Sequence, residues 1–240
     1  MQDKIALIFA GGVGTRMGNK GLPKQFLEVH RKPVIIYTLE HFEKNSQISS
    51  IVISCKKEWI DYLANLITKF NISKVKFIVE GGETGQESIY NGLRYIYDNY
   101  NNESIVLIHD GVRPVINQSI IDLNIESVIK YGSAITSCPP VETFVCIDKD
   151  NKVRGVHDRT LSRLAKAPQS FYLKDIFEVH QKAMSDGYFQ AIDSCSLMSH
   201  YGYNVHLVEG ISENIKITTP MDFFLFKSIL EANEYMAIFS

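Results

Sequence analysis

The segment of this chain richest in potential chemistry is Ala10–Phe26, AGGVGTRMGNKGLPKQF. Gly11, Gly12 and Gly14 let backbone N–H groups turn toward an anion with no Cβ in the way. Arg16 and Lys24 add fixed positive charge, one as a planar fork and the other as a point charge. On their own the glycines would describe an ordinary tight connection. Arg16 and the Pro23–Gln25 run turn them into a phosphate cradle. The segment is not a GxxxxGK[ST] loop. It is also a poor dinucleotide fingerprint, because Met17 stands where the third glycine belongs and Pro23 interrupts the helix that should follow. Farther along, Asp110 closes an apolar run, Arg113 follows it on a loop, and Lys216 lies in ENIKIT (Glu213–Thr218). No carboxylate cluster suggests a metal cage built by protein alone.

The elements that must position these groups alternate regularly. Ile5–Ala10, Ile51–Cys55, Val75–Val79 and Ser104–His109 read as buried strands. Pro33–Glu43, Lys57–Phe70, Gln86–Tyr97 and Gln118–Lys130 read as helices between and after them. Strands that are apolar throughout, separated by helices, predict a mostly parallel α/β sheet covered on both faces. Its strand-to-helix connections emerge at the carboxyl edge, where ligands bind. The rhythm breaks near Ser133. Ala134–Val156 reads as strands and turns, with Asp148–Asn151 as a hairpin tip. A hairpin projecting from such a core buries little of itself, which predicts packing against a partner subunit. Leu173–Ser185 and Ser194–Tyr201 then read as helices, Asn204–Val208 as a strand, and Pro220–Glu234 as a closing helix with proline at its start.

Composition sets the outer bounds. With 240 residues, 45% hydrophobic and 22% charged, the chain suits one α/β domain across 1–240, carrying an arm at about 136–160. A formal charge of −2 argues against a general nucleic-acid binder while leaving room for a local phosphate site. Cys55, Cys138, Cys146 and Cys195 form no CxxC and have no His partner at zinc spacing, which predicts reduced thiols in a cytoplasmic protein. The run at Ile5–Ala10 is too short for a membrane span, and no cleavage-site pattern follows it.

Together these segments resemble the pyrophosphorylase-type cytidylyltransferases that act on 2-C-methyl-D-erythritol 4-phosphate and on ribitol 5-phosphate. The resemblance rests on the glycine segment, Gly81–Gly82 followed by Ser88, HDGVRP at His109–Pro114, and Asp158–Arg159. PQSF at Pro168–Phe171 and ENIKIT complete it, so that it covers most of the chain. It implies a Rossmann-like fold and attack of a substrate phosphate oxygen on the α-phosphorus of CTP, with pyrophosphate leaving in line. A phosphate monoester is largely dianionic at neutral pH, with a second pKa near 6, so the nucleophile needs no general base. The site must instead neutralise charge and align two polyanions.

The resemblance implies that Arg16, Lys24 and Lys216 hold and stabilise the reacting phosphates. The nucleotide would lie along Ala10, Gly11, Gly12, Gly14 and Thr15, with Gly81, Gly82 and Ser88 reading the base and Asp110 nearby. Asp110, Arg113 and Asp193 would face the acceptor. Thr143 and Arg159, in or beside the hairpin, would reach the acceptor phosphate of the neighbouring subunit in a homodimer. Mg²⁺ would bind mainly through triphosphate oxygens, with Asp110 as the one candidate protein ligand. Arg113 reads equally well as half of a buried Asp–Arg pair supporting its loop, and His109 as a strand-end residue with a backbone partner.

The pattern also departs from the family. Gly85 stands where an arginine is usual, and Ala167, preceded by Arg163–Lys166, where a threonine is usual. Ile192-Asp193-Ser194 replaces a threonine before an Asp-Glu pair. The Asp193-x-Cys195 spacing and Leu22–Phe26 are closer to the ribitol-phosphate enzymes. A polyol-phosphate acceptor follows, with methylerythritol phosphate as the closest rival. A non-catalytic nucleotide-binding regulator is the alternative of another class; Arg16, Lys24 and Lys216 all being present argues against it.

Overall fold

The computed structural model describes residues 2–11 and 21–239; Gly12, Gly14, Thr15 and Arg16 therefore lie outside the described residues. Strand β1 (Lys4–Ala10) leads into the glycine segment, which re-emerges in a 3-10 turn at Lys24–Phe26. The short hairpin β2 (Glu28–Val29) and β3 (Lys32–Pro33) precedes helix α1 (Val34–Lys44). The alternation then runs through β4 (Ser50–Cys55), α2 (Ile60–Lys69), β5 (Val75–Glu80), α3 (Gly85–Asn99), β6 (Ile105–Asp110) and α4 (Gln118–Tyr131). Next come β7 (Ser133–Cys138), the hairpin β8 (Val145–Ile147) and β9 (Val153–Val156), and the long strand β10 (Leu164–Tyr172). The chain closes with α5 (Leu173–Ser185), α6 (Ser194–His200), β11 (Leu207–Glu209) and α7 (Pro220–Phe239).

Seven strands form one sheet in the order β11-β7-β10-β6-β1-β4-β5. All neighbours are parallel except β10, which runs antiparallel to both β6 and β7. Alternation along β1 divides the core in two. Ala6 and Ile8 pack with Ile35, Leu39, Leu63 and Ile125 of α1, α2 and α4. Ile5 and Leu7 pack on the other face with Leu93, Ile176 and Leu197 of α3, α5 and α6. Helix α3 comes so close to the sheet that a Cβ on Gly92 would collide with the Leu7 side chain.

Two features differ from the sequence reading. Ser133–Cys138, which opens the segment read as the arm, is a fully buried strand inside the main sheet, and the projecting part starts only after Cys138. Strand β10 has no counterpart in the sequence reading. Its register breaks between Ala165 and Gln169, around the cis Ala167–Pro168 bond, where proline has no N–H to give to a ladder. The hairpin tip is as expected. The Asp148 carboxylate accepts from the Asp150 and Lys152 amides and pairs with Arg154, and Asn151 takes a left-handed conformation (φ 60°).

Candidate active site

β1 has β4 on one side and β6 on the other, so the strand order reverses beside it and a crevice opens at the carboxyl ends. Phe9 and Asp110 are register partners at that point. Asp110 is buried, and two cations hold it. Arg113 Nε donates to Oδ2 at 2.8 Å, and Lys216 Nζ lies 2.6 Å from Oδ1. Burial alone would raise the Asp110 pKa, but the charges of Arg113 and Lys216 offset it and bring the carboxyl to about 2. The neighbouring His109 is neutral, its pKa lowered by burial to about 4, and its Nε2 lies 3.1 Å from the Arg113 carbonyl, a backbone partner as expected.

The segment carrying Lys216, an irregular stretch between β11 and α7, is fastened from several directions. Arg113 Nη1 donates to the Asn214 carbonyl at 3.0 Å, and Lys166 Nζ donates to the carbonyls of Ser212 (3.0 Å) and Asn214 (3.1 Å). Asn214, fully buried, donates through Nδ2 to the Ala167 carbonyl at 2.7 Å. Arg113 therefore fills the supporting role and also stands at the site. Asp110, Arg113, Lys166 and Lys216 line one side of a cavity of about 350 Å³. With Asp193 also in the lining, three cations face two carboxylates, which leaves the cavity with a positive excess, as an anionic substrate requires.

On the β1–β4–β5 side, Gly11, Gly81, Gly82 and Ser88 come together. Gly82 N–H donates to Ser88 Oγ at 3.1 Å, and Ser88 Oγ donates to the Thr84 carbonyl at 2.8 Å. A Cβ on Gly11 would sit 2.9 Å from the same hydroxyl. Thr84 and Glu87 close a capping box at the start of α3 and fix the turn. Ser88 thus braces the glycine turn. Gln25 Nε2 donates to the Ala10 carbonyl at 2.8 Å, and Phe26 is buried against Trp59 and Tyr62, which ties down the far end of the loop beside Lys24.

Residues 4–232 match the family model described as IspD, 2-C-methyl-D-erythritol 4-phosphate cytidylyltransferase. The chain belongs to this cytidylyltransferase family. It is similar to the ribitol-5-phosphate cytidylyltransferase of Vibrio parahaemolyticus, with 64% identity over 98% of this chain and 99% of that one. The ribitol-5-phosphate cytidylyltransferase of Streptococcus agalactiae serotype V is 51% identical over 98% of each chain. Among solved structures, the 4-diphosphocytidyl-2C-methyl-D-erythritol synthase of Anaerococcus prevotii superposes with a TM-score of 0.83, covering 96% of each chain at 26% identity. The expected kinship with the ribitol-phosphate branch thus holds, and so does the nucleotidyltransferase class.

Asp193 belongs to the cytidylyltransferase cavity as a wall residue. It caps α6 by accepting from the Ser196 amide at 2.8 Å, and its other oxygen accepts from Gln169 Nε2 at 2.9 Å. Gln169 Oε1 in turn accepts from the Cys195 amide, which locks β10 to α6. Thr143 and Arg159 do not join the cavity of their own chain. Both are exposed on the arm, where Arg159 Nη1 donates to the Val141 carbonyl at 3.1 Å. Lys166, Gln86 and His180 line the cavity but were not among the expected site residues. Lys166 could have been found from the PQSF match two residues on. His180 offered no signal, because it occupies a buried position of an amphipathic helix like any core residue. Burial lowers the Lys166 pKa, and the Arg113 charge works in the same direction.

Among the described residues, no group of three His, Cys, Asp or Glu side chains could hold a metal ion. Asp110, ionised and anionic, offers a hard oxygen donor at the cavity, which fits a Mg²⁺ held chiefly by triphosphate and water.

Proposed function

We propose that this protein transfers the cytidylyl group of CTP to D-ribitol 5-phosphate, giving CDP-ribitol and pyrophosphate. The observation that supports it best is the positive cluster of Arg113, Lys166 and Lys216 around Asp110, at the switch point of a cytidylyltransferase sheet and facing a cavity of small-molecule size. The 64% identity with a ribitol-5-phosphate enzyme over nearly the whole chain selects the acceptor. In this reading an acceptor phosphate oxygen forms a bond to the α-phosphorus while the bond to the β-phosphate bridging oxygen breaks, and pyrophosphate carries that oxygen away.

Lys216 is the movable charge of the site. Its ammonium is partly exposed while Asp110 is sealed, so it can exchange the Asp110 oxygen for a phosphate oxygen as charge builds on the transferred group. Arg113 stays with Asp110 and holds the carboxylate. Arg16 and Lys24 act on the triphosphate side, with the amides of Gly11, Gly12 and Gly14. A Mg²⁺ ion bound with the triphosphate would supply further charge neutralisation, and Asp110 is the residue that would hold it.

The arm belongs to the same reading. Val145 pairs with Val156, and Ile147 with Val153, which gives the hairpin one apolar face whose residues are each half exposed or more. Leu161, just beyond, is 86% exposed. A second copy covers this face in a homodimer, and the partner's arm carries Thr143 and Arg159 to the acceptor phosphate. Among the described residues no helix is long and apolar enough to cross a membrane, consistent with the proposed cytoplasmic enzyme.

A panel of nucleoside triphosphates and acceptor phosphates, assayed with Mg²⁺ for pyrophosphate release, tests the reading. D-ribitol 5-phosphate with CTP should give the highest kcat/KM. A preference for 2-C-methyl-D-erythritol 4-phosphate would overturn the acceptor, and turnover with no acceptor would overturn the enzyme.

A further inference from the structure

In the same cavity, α3 and α5 supply two polar side chains with buried atoms that no hydrogen bond satisfies. His180 is 1% exposed, and neither of its ring nitrogens has a hydrogen-bond partner among the described residues. Gln86 is 7% exposed; its Nε2 donates to the Tyr188 carbonyl at 2.8 Å, while its buried Oε1 has no partner. Both residues line the same cavity as Asp110 and Lys216, and Ile89, Ile108 and Leu197 are among its apolar lining. Buried polar groups are almost always paired, because leaving one unpaired costs stability that an apolar residue of the same shape would not lose. Three unpaired nitrogens and oxygens around one cavity therefore point to a ligand that completes them.

We propose that Gln86 and His180 are specificity-determining residues of the acceptor site, hydrogen-bonding the hydroxyls of a polyol chain whose phosphate lies among Arg113, Lys166 and Lys216. The proposal rests on the acceptor being a polyol phosphate, as inferred above. The groups suit hydroxyls better than phosphate. Burial holds His180 at a pKa of about 4, so its imidazole is neutral at pH 7 and offers one N–H donor and one acceptor nitrogen. The amide oxygen of Gln86 accepts only. A hydroxyl both donates and accepts, so two or three of them can satisfy this set, whereas a phosphate dianion would meet the Gln86 oxygen and the bare imidazole nitrogen with repulsion. The side chains are also held in place. His180 stacks on Tyr90 with ring centroids 6.3 Å apart, and the Tyr188 carbonyl anchors the Gln86 amide. A rigid set of hydrogen-bonding groups discriminates well, because an acceptor lacking a hydroxyl leaves a buried group unpaired.

The test compares wild type with His180→Leu and Gln86→Leu on D-ribitol 5-phosphate and on glycerol 3-phosphate, which lacks the distal hydroxyls. Each variant should lose ~10- to 100-fold in kcat/KM for ribitol phosphate, mostly through KM. The KM for CTP should stay the same, the preference over glycerol phosphate should shrink, and His180→Gln should recover part of the loss. The thermal midpoint should hold or rise, because an unpaired polar group has been removed. Ribitol-phosphate KM values within about twofold of wild type, or a uniform loss of CTP affinity, acceptor affinity and thermal stability, would overturn the proposal. If wild type turns over no polyol phosphate at all, the functional reading itself fails. Calorimetric binding of D-ribitol 5-phosphate then decides: weaker binding in both variants supports the proposal, and equal or absent binding rejects it.

Discussion

The rim of the sheet divides at β1 into two regions built by different means. On the β1–β4–β5 side every strand is parallel and the bracing is local: Ser88 reaches Gly82 six residues away, and Gln25 reaches Ala10 fifteen away. On the β6–β10–β7 side an antiparallel strand is inserted, and the ties span long stretches of chain. Arg113 reaches Asn214 across 101 residues, Asn214 reaches Ala167 across 47, and Gln86 reaches Tyr188 across 102. The first region is a preformed glycine turn that one short peptide nearly specifies. The second is a cavity assembled from distant segments, where, on the proposed function, single substitutions can alter the acceptor without disturbing the nucleotide. The departures from the family at Ala167 and Ile192–Ser194 fall in this second region.

Lys216, between the two halves, gives the sharpest test. Lys216→Ala should lower kcat by ~10²–10³, the scale of losing one preorganised charge at a developing oxyanion. Asp110 loses one of its two cations there, and burial then pulls its pKa up. A loss below tenfold in single-turnover assays would mean that Lys216 serves neither region.

The arm carries the next largest effect. Ile147→Asp places a charge on the apolar hairpin face, and light scattering should show the proposed dimer converted to monomer. On that proposal the partner's Thr143 and Arg159 are withdrawn and acceptor KM should rise at least ~10-fold; a fully active monomer would show each chain to be self-sufficient.

A crossed pair of variants then separates the two regions directly. Ser88→Ala removes the brace of the glycine turn and should raise the CTP KM by about tenfold while sparing the acceptor. Gln169→Leu cuts the β10–α6 tie and should do the reverse. Equal effects on both substrates in both variants would erase the distinction.

The smallest effects concern acid stability. His109 and His180 each sit near pKa 4 in the fold, against 6.5 in a free side chain. Below pH 6.5 the unfolded chain binds protons that the native chain does not. The histidine contribution is therefore complete above about 6.5 and drains away as pH falls toward about 4. Asp110, at about 2 against 3.8, keeps its contribution above about 3.8 and loses it as pH falls through about 2. Urea midpoints should fall in these two stages, and His180→Leu should flatten the first.

Much of this was legible in the residues themselves. The order of parallel strands and helices follows from apolar runs and helical periodicity, because burial on one face or two is written locally. The place of Asp110 follows from its position at a strand end. The sequence could not reveal β10. LAKAPQSFY has neither an unbroken apolar run nor clean alternation, and a proline interrupts its ladder, so it becomes a strand only because β6 and β7 leave a slot between them. Nor could it reveal His180, which is spaced like a core residue and differs from one only in what lies beyond its ring. Local patterns record torsional preference and the side on which a residue is buried. Which distant groups close around a cavity depends on the pairing of whole strands, and only the tertiary structure decides that.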